Sequence, residues 1–153
     1  MPRYNESKVL PYSAQQVFDL VADVEKYPQF VPWCKDVKIK ESRENHHLVD
    51  LTAGNAFLSE TYTSDVYLTP FSKVEVAQNE GPFKYLFNTW TFEDVEGGVN
   101  VTFKIEFEFN SYIFQKAIES VFMEASQQMM EAFEERAEEI YGSPKTASKS
   151  ASS

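Results

Sequence analysis

The sequence is poor in the residue types on which most enzyme sites depend. One of its 153 residues is a cysteine, Cys34, two are the adjacent histidines His46 and His47, and five are glycines. A single cysteine excludes an internal disulfide framework and fits a reducing compartment. The few glycines form no phosphate-cradling run, which argues against a nucleotide site. No apolar run approaches the length of a transmembrane helix, and nothing at the start reads as a signal peptide.

Positive charge is also scarce. There are 14 basic against 24 acidic residues, a formal net charge of −10. Such a surface repels phosphate backbones, so we expect no binding to DNA. Hydrophobic residues make up 42% of the chain and aromatic residues 15%, including thirteen phenylalanines, which is enough for a real core. We expect one domain over residues 1–142, followed by a low-complexity, disordered tail over residues 143–153.

The stretch from Tyr27 to Cys34, YPQFVPWC, is the most unusual part of the chain. Three aromatic side chains and two prolines in eight positions predict neither a regular helix nor a strand, because proline also biases the residue before it toward extended backbone. The stretch must nevertheless bury Phe30 and Trp33. We interpret it as a rigid aromatic corner that walls an apolar interior.

The remaining pattern predicts the order strand, helix, many strands, long helix. Ser13 and Gln16 form a capping box for the first helix, and Gly97-Gly98 marks a tight hairpin. The predicted strands are Arg3–Leu10, Asp36–Glu44, Leu48–Ala53, Ala56–Leu68, Lys73–Gln78 and Tyr85–Glu93, with a turn at Asn45-His46-His47.

The clearest strand follows Gly98. Apolar residues alternate there with polar ones from Val99 to Phe109, so one face lies in the core and the other in water. After Asn110 or Ser111 as a cap comes a helix whose apolar stripe recurs at helical spacing up to a stop at Gly142. The stripe consists of Phe114, Ile118, Val121, Phe122, Ala125, Met129, Phe133, Ala137 and Ile140.

These elements predict an α+β fold in which a curved antiparallel sheet wraps around one long C-terminal helix. The inward-facing residues are mainly Phe, Trp and Met. They meet in a filled core or line a pocket for an apolar ligand, and periodicity does not separate these two readings.

The sequence evidence for catalytic residues is weak. His46 and His47 are neighbours at a predicted hairpin tip, where their side chains point to opposite faces and cannot share a metal, so we interpret them as part of a solvated turn. Cys34 has no histidine near it in sequence and is interpreted as a structural thiol.

Polar candidates for ligand contact lie in the strand around residue 62. Glu60 or Asp65 would hydrogen-bond a ring oxygen only when protonated, and we expect both to face water. Tyr62 and Tyr67 are the alternative donors, but both faces of this strand are mixed and its orientation stays open.

Four separated blocks carry a family resemblance. They are LPYSAQQVF from Leu10, DVEKYPQFVPWC from Asp23, GPFKYL from Gly81 with WTF from Trp90, and FKIEFEF from Phe103. Together they resemble the coenzyme Q-binding START-like proteins of the polyketide cyclase/dehydrase and lipid transport superfamily, including bacterial members of the RatA type. The resemblance runs from about Arg3 to Gly142.

The resemblance implies a helix-grip (START/Bet v 1-like) fold with an apolar cavity between the sheet and the C-terminal helix. It implies non-catalytic binding and delivery of ubiquinone or a related polyprenyl lipid, held as a ligand with no cofactor and no metal. The family's apolar motif positions fall on Phe30, Trp33, Leu86 and Trp90. To the expected cavity residues we add Tyr62, then Phe103, Ile105 and Phe107 from the alternating strand, and Phe122, Met129 and Phe133 from the helix stripe.

Two other function classes stay open. A RatA-type member implies a toxin that binds a ribosomal subunit and blocks subunit joining, and the superfamily name implies a cyclase-type enzyme, for which these residues offer no catalytic set. The expected partners are the lipid and, transiently, a membrane surface, with a ribosomal subunit as the further candidate. We expect a bacterial cytoplasmic protein peripheral to the inner membrane, the alternative being the matrix side of the mitochondrial inner membrane.

Overall fold

A computed structural model describes residues 3–31, 33–54 and 59–142 of the chain. The side chains of residues 59, 114, 117, 118, 121 and 122 lie outside that description, as do residues 56–58 of the predicted fourth strand and the predicted tail. The strands are β1 (Arg3–Leu10), β2 (Cys34–Arg43), β3 (His46–Gly54), β4 (Ser59–Thr69), β5 (Lys73–Glu80), β6 (Phe83–Val95) and β7 (Gly98–Phe109). The helices are α1 (Ala14–Ala22), α2 (Tyr112–Gln127) and α3 (Met129–Tyr141), with a 3-10 helix at Val24–Gln29.

All seven strands form one antiparallel sheet in the order β1-β7-β6-β5-β4-β3-β2. The predicted α+β helix-grip architecture is confirmed: the sheet curves, and the C-terminal helices lie against its concave face. The alternation in β7 is also as predicted, because the odd-numbered residues from Val99 to Phe109 are buried and the even-numbered ones are not. The sheet therefore has one inner, apolar face and one outer, wet face.

The capping box at α1 is present as predicted. The Ser13 hydroxyl accepts a hydrogen bond from the Gln16 backbone N–H at 3.1 Å, and the Gln16 side chain accepts one from the Ser13 N–H at 2.9 Å. The helix then buries Val17 and Val21 completely against the core.

The aromatic corner differs from its prediction in its first half. Tyr27 and Pro28 belong to the 3-10 helix, not to extended backbone. Hydrogen bonds form on either side of the proline, from Lys26 N–H to the Asp23 carbonyl and from Phe30 N–H to the Tyr27 carbonyl, both at 3.1 Å. Pro28 lacks a donor, but its fixed φ suits a short 3-10 turn, so the sequence bias toward extended backbone is overridden.

The two histidines lie in a strand, which corrects their assignment to a solvated turn. The turn occupies only residues 44 and 45, because His46 and His47 pair with Arg43 and Ser42 of β2. The His46 ring stacks on Tyr67 with centroids 4.7 Å apart. The stack covers part of the His46 and Tyr67 rings on the outer face of the sheet, and both histidines belong to the β3 ladder.

The predicted long C-terminal helix is divided at Gln128. The Gln128 N–H lies 3.2 Å from both the Glu124 and the Ala125 carbonyl oxygens, a shared bond typical of a tightened turn. Beyond the division, α3 buries Met129, Phe133 and Ala137 as predicted and ends at Gly142.

One member of the predicted stripe is wrongly placed. Ile140 is 49% exposed, because in the last turn of α3 Tyr141, and not Ile140, packs against the core. The side chains of Phe114, Ile118, Val121 and Phe122 lie outside the described residues.

Candidate ligand-binding cavity

A cavity of about 330 Å³ lies between the concave face of the sheet and the junction of α2 with α3. Its wall is mostly apolar. The inward-facing residues of β3, β4, β6 and β7 supply most of it, and the corner before β2 and the helix junction supply the rest. The lining residues are Val24, Tyr27, Trp33, Val49, Leu51, Ala53, Gly54, Glu60, Tyr62, Ser64, Val66, Val76, Pro82, Phe83, Leu86, Asn88, Trp90, Phe103, Ile105, Phe109, Glu124, Ala125, Ser126, Gln128 and Met129.

The orientation of β4 is settled by this wall. Its even-numbered residues from Glu60 to Val66 line the cavity, whereas Asp65 and Tyr67 lie on the outer face. Asp65 there accepts a hydrogen bond from the Asn79 side-chain amide at 2.9 Å and lies 2.8 Å from the His46 ring nitrogen. The expectation that Asp65 turns away from the cavity therefore holds, and Tyr62 is the tyrosine that faces inward.

Most of the residues expected in the cavity do lie on its wall. Seven of them are brought together there: Trp33, Tyr62, Leu86, Trp90, Phe103, Ile105 and Met129. The side chain of Phe122 lies outside the described residues, so its position stays a prediction.

Three of the expected residues lie off the wall. Phe133 is 1% exposed and packs edge-on against Phe30 and Trp90, with ring centroids 5.0 Å and 4.9 Å away. Phe30 is also covered by the Arg136 guanidinium, 5.1 Å from its ring centroid. Phe107 is fully buried against Phe83. These rings fill the layer behind the wall, where they support the residues that face the cavity.

Part of the wall is open to solvent. Its residues Glu60, Glu124 and Gln128 are exposed, and we call the part of the wall that they form the mouth. Glu60 stands at the start of β4, and the other two flank the division of the C-terminal helix. The expectation that Glu60 faces water is met, although it also borders the cavity.

Few polar groups lie deeper in the wall. Burial, reinforced by the nearby Cys34, raises the pKa of Tyr62, so its hydroxyl stays protonated and can donate. The Ser64 hydroxyl is buried and has no hydrogen-bond partner among the residues that the structure describes. The Asn88 amide donates to the Lys104 carbonyl at 3.4 Å, a long contact.

Cys34 and the histidines are poorly suited to covalent chemistry. Burial, with the neighbouring charge of Asp36, raises the pKa of the Cys34 thiol to about 12, so the reactive thiolate is scarce near neutral pH. His46 hydrogen-bonds Asp65 on the outer face of the sheet, and His47, which hydrogen-bonds Ser42, is not among the residues of the cavity wall. Within residues 3–31, 33–54 and 59–142, no cluster of three or more His, Cys, Asp or Glu side chains is arranged to hold a metal ion.

Comparison with known proteins identifies the family of this chain. Residues 10–134 match the family described as polyketide cyclase / dehydrase and lipid transport. The chain belongs to this family. The match spans β1 to α3 and so includes the strands and the helix junction that line the cavity.

Relatives within the polyketide cyclase/dehydrase and lipid transport family carry two kinds of name. The chain is 34% identical over 143 residues to a protein of Vibrio cholerae named ribosome association toxin RatA, covering 93% of this chain and 99% of that protein. It is also 34% identical over 144 residues to the mitochondrial coenzyme Q-binding protein COQ10 homolog B of Xenopus laevis, covering 91% of this chain and 59% of that protein.

Solved structures in or near the family share the fold. An 18 kDa protein from Caulobacter crescentus is 32% identical, with a TM-score of 0.76 over 94% of this chain and all of that one. The Zhui aromatase/cyclase from Streptomyces has a TM-score of 0.80 at 19% identity over 90% of this chain and 93% of that one, which shows a common fold alone.

Sequence reasoning missed part of the wall. The β3 residues Val49, Leu51 and Ala53 alternate with polar neighbours, and this period of two was the signal that could have placed them inward. Ser64 and Asn88 had no such signal, because a lone polar residue in a mixed strand reads equally well as an outer-face residue.

Proposed function

We propose that the cavity binds ubiquinone or a related polyprenyl lipid without catalysis, and that the protein delivers it in support of respiratory electron transport or quinone biosynthesis. The observation that carries this proposal is the apolar cavity of about 330 Å³ with only a few polar groups in its wall. Small-molecule sites are built in this way, from apolar lining with a few placed hydrogen-bonding groups. The relative named a coenzyme Q-binding protein supports the choice of lipid.

The proposed role is binding, not turnover. Of the residue types that do acid-base or nucleophilic work, Cys34 is held protonated behind the wall, His46 lies on the outer face of the sheet, and His47 is not part of the wall. The acids of the wall, Glu60 and Glu124, stand at the solvent-exposed mouth. Such a wall can hold and orient a hydrophobic molecule, and it gives a quinone no obvious partner for reaction.

We further propose transient contact with a membrane surface. At the start of α2, Tyr112 and Ile113 are 72% and 82% exposed, unusually high for adjacent large side chains. The Lys116 ammonium lies 5.5 Å from the Tyr112 ring centroid. An exposed apolar residue beside a tyrosine and a lysine suits the bilayer interface. In the described part of the chain, no helix has both the length and the apolar character needed to cross a bilayer.

The contact is testable with one substitution. Ile113→Asp should slow quinone transfer from vesicles of phosphatidylcholine and phosphatidylethanolamine while leaving binding of a detergent-solubilised quinone unchanged. Equal transfer rates for the wild-type protein and the Ile113→Asp variant would refute membrane contact at the start of α2. The membrane we infer is the bacterial inner membrane, approached from the cytoplasm, with the matrix side of the mitochondrial inner membrane as the alternative.

A second candidate function rests on the relatives named ribosome association toxin. We propose that a ribosomal subunit is an alternative partner whose binding blocks subunit joining. The net charge of −10 disfavours broad contact with ribosomal RNA and favours docking on a basic ribosomal protein. Co-sedimentation with separated subunits at moderate salt is expected for this function, and its absence would remove the candidate.

The lipid proposal is tested on the purified protein. Organic extraction followed by mass spectrometry should recover a quinone in a defined ratio to protein. Recovery of only bulk phospholipid, together with no uptake from quinone-loaded vesicles, would refute it. The two candidate functions have separate readouts, so either can fail alone.

A further inference from the structure

We propose that the Ser64 hydroxyl binds the polar ring of the ligand, so that the ligand lies head-inward with its apolar chain directed to the mouth. This inference rests on the proposed function. It assigns the hydrogen-bonding residue and the orientation of the ligand.

The Ser64 side chain is a buried polar group that the described residues leave unpaired. The residue is 3% exposed, and within residues 3–31, 33–54 and 59–142 its Oγ has no hydrogen-bond partner. A buried hydroxyl without a partner costs about 1–3 kcal/mol, so native structures rarely keep one without a reason. Ser64 also lies on the cavity wall, between the inward-facing Tyr62 and Val66 on β4. A ligand is therefore the natural partner for this hydroxyl.

The position of Ser64 along β4 sets the depth of the polar group. Glu60 is exposed at the mouth, whereas Tyr62, Ser64 and Val66 are 6%, 3% and 2% exposed. Ser64 lies four residue steps along the strand from Glu60, a rise of about 13 Å at about 3.3 Å per residue. A hydrogen bond to Ser64 consequently places the head of the ligand well inside the cavity, away from Glu60 at the mouth.

The apolar surroundings of Ser64 make this hydrogen bond selective for ligands that have a polar group. On the strands beside and opposite Ser64, the wall consists of side chains such as Val49, Leu86 and Trp90. In so apolar a site a hydrogen bond is stronger than in water, and a ligand without a polar group leaves the hydroxyl unpaired. A serine hydroxyl donates to a carbonyl or accepts from a phenol. The ligand class is thus a quinone or phenol ring on an apolar chain.

The size of the cavity agrees with this orientation. A volume of about 330 Å³ is near the lower end of the range of about 300–1,000 Å³ for small-molecule sites. That space suits a ring and a short piece of chain. The rest of a long polyprenyl chain must leave through the mouth, and the hydrogen bond to Ser64 selects the ring as the end held inside.

The test compares Ser64→Ala with Thr61→Ala. Thr61 lies on the same strand but on the outer face, where its hydroxyl is 2.8 Å from that of Thr52. The probes are a ubiquinone with two isoprene units and squalene, an isoprenoid without oxygen. Binding is followed by the fluorescence of Trp33 and Trp90, both on the wall.

Ser64→Ala should weaken binding of the short-chain ubiquinone by about tenfold and leave squalene binding unchanged. It should not lower the Tm, because the hydroxyl makes no hydrogen bond to the described residues that the change could remove. Thr61→Ala should leave binding of both probes unchanged. In the wild-type complex the infrared carbonyl band of the bound quinone should shift to lower frequency, and this shift should disappear in Ser64→Ala. Bound quinone should also be reduced more slowly by aqueous dithionite than free quinone.

The possible failures are distinguishable. Wild-type protein that binds neither probe refutes the proposed function itself. Wild-type protein that binds quinone with the same affinity after Ser64→Ala refutes only the role of Ser64, as does an equal loss of quinone and squalene binding. Unslowed dithionite reduction of bound quinone refutes the head-inward orientation.

Discussion

Two leucines offer a sensitive test of whether the cavity is empty space inside the folded protein. Leu10 and Leu86 are 1% and 4% exposed, so ordinary burial scales rank them together. Leu86 lines the cavity, whereas Leu10 does not. Replacement by alanine removes the same atoms from both, but at Leu10 it also opens a new cavity in close-packed surroundings.

The difference can be given a magnitude. Leu→Ala changes in cores cost about 2.7–5.0 kcal/mol, and the spread follows the volume of the cavity left behind. Leu86 already faces open space, so Leu86→Ala should lie near the lower limit, while Leu10→Ala should approach the upper one. The expected gap of about 2 kcal/mol corresponds to a Tm about 4–8 °C lower for Leu10→Ala in a domain of this size.

The assay is chemical and thermal unfolding of lipid-free protein, because bound ligand would add its own stabilisation to each variant. Short-chain ubiquinone binding is then measured on the same samples. Leu86→Ala should weaken binding and Leu10→Ala should not. Equal unfolding free energies for the two variants, with equal quinone affinity, would refute the description of Leu86 as a wall residue of a real cavity.

Three further predictions follow from close contacts and titrating groups. Gly81→Ala should destabilise the fold and weaken quinone binding, since a methyl group there would lie 2.5 Å from the Cβ of Tyr62; unchanged Tm and affinity would contradict this contact. Cys34 should react with a thiol-specific disulfide reagent at pH 8 only as fast as the protein unfolds, because burial raises the pKa of its thiol to about 12. Rapid labelling of the native protein would contradict this and show an exposed thiolate. The hydrogen bond from Asn79 is the main cause that lowers the pKa of Asp65 below its ordinary value of 3.8, so this carboxylate stabilises the fold above that value and loses its contribution as the pH falls through the lower folded-state pKa. Asp65→Asn should therefore flatten the acid limb of a plot of unfolding free energy against pH, and an unaltered acid limb would contradict the assignment.

The extent to which the sequence predicts this fold depends on how many residues share each signal. The alternation in β7 and the paired Ser13 and Gln16 involve repeated or reciprocal contacts, and both are found as predicted. Gln128 divides the last helix with neither glycine nor proline to mark the place. His46 enters β3 because of its contacts to groups far along the chain, which no local pattern encodes.

The cavity was predictable in its apolar character and less so in its detail. Large side chains such as Trp90 and Phe103 predict an inner surface, and both line the cavity. Phe107 and Phe133 have the same character and lie behind the wall. Whether a buried ring faces the cavity or another ring depends on the curvature of the sheet, which the alternation of apolar and polar residues along a strand does not predict. Ser64 is informative only once its lack of a partner is known.

Cavity filling shows directly whether this cavity holds the lipid. Ala53 of β3 and Ala125 of α2 both line the cavity, and the double change Ala53→Phe with Ala125→Phe would occupy part of its volume. Ala77→Phe is the matched control, because Ala77 is absent from the wall and pairs on β5 with the exposed Phe87. The measurement is uptake of ubiquinone from loaded vesicles per mole of protein. We expect uptake near one quinone per chain for the wild type and the control, and little for the filled variant. Equal uptake by all three proteins, or none by the wild type, would rule out this cavity as the binding site.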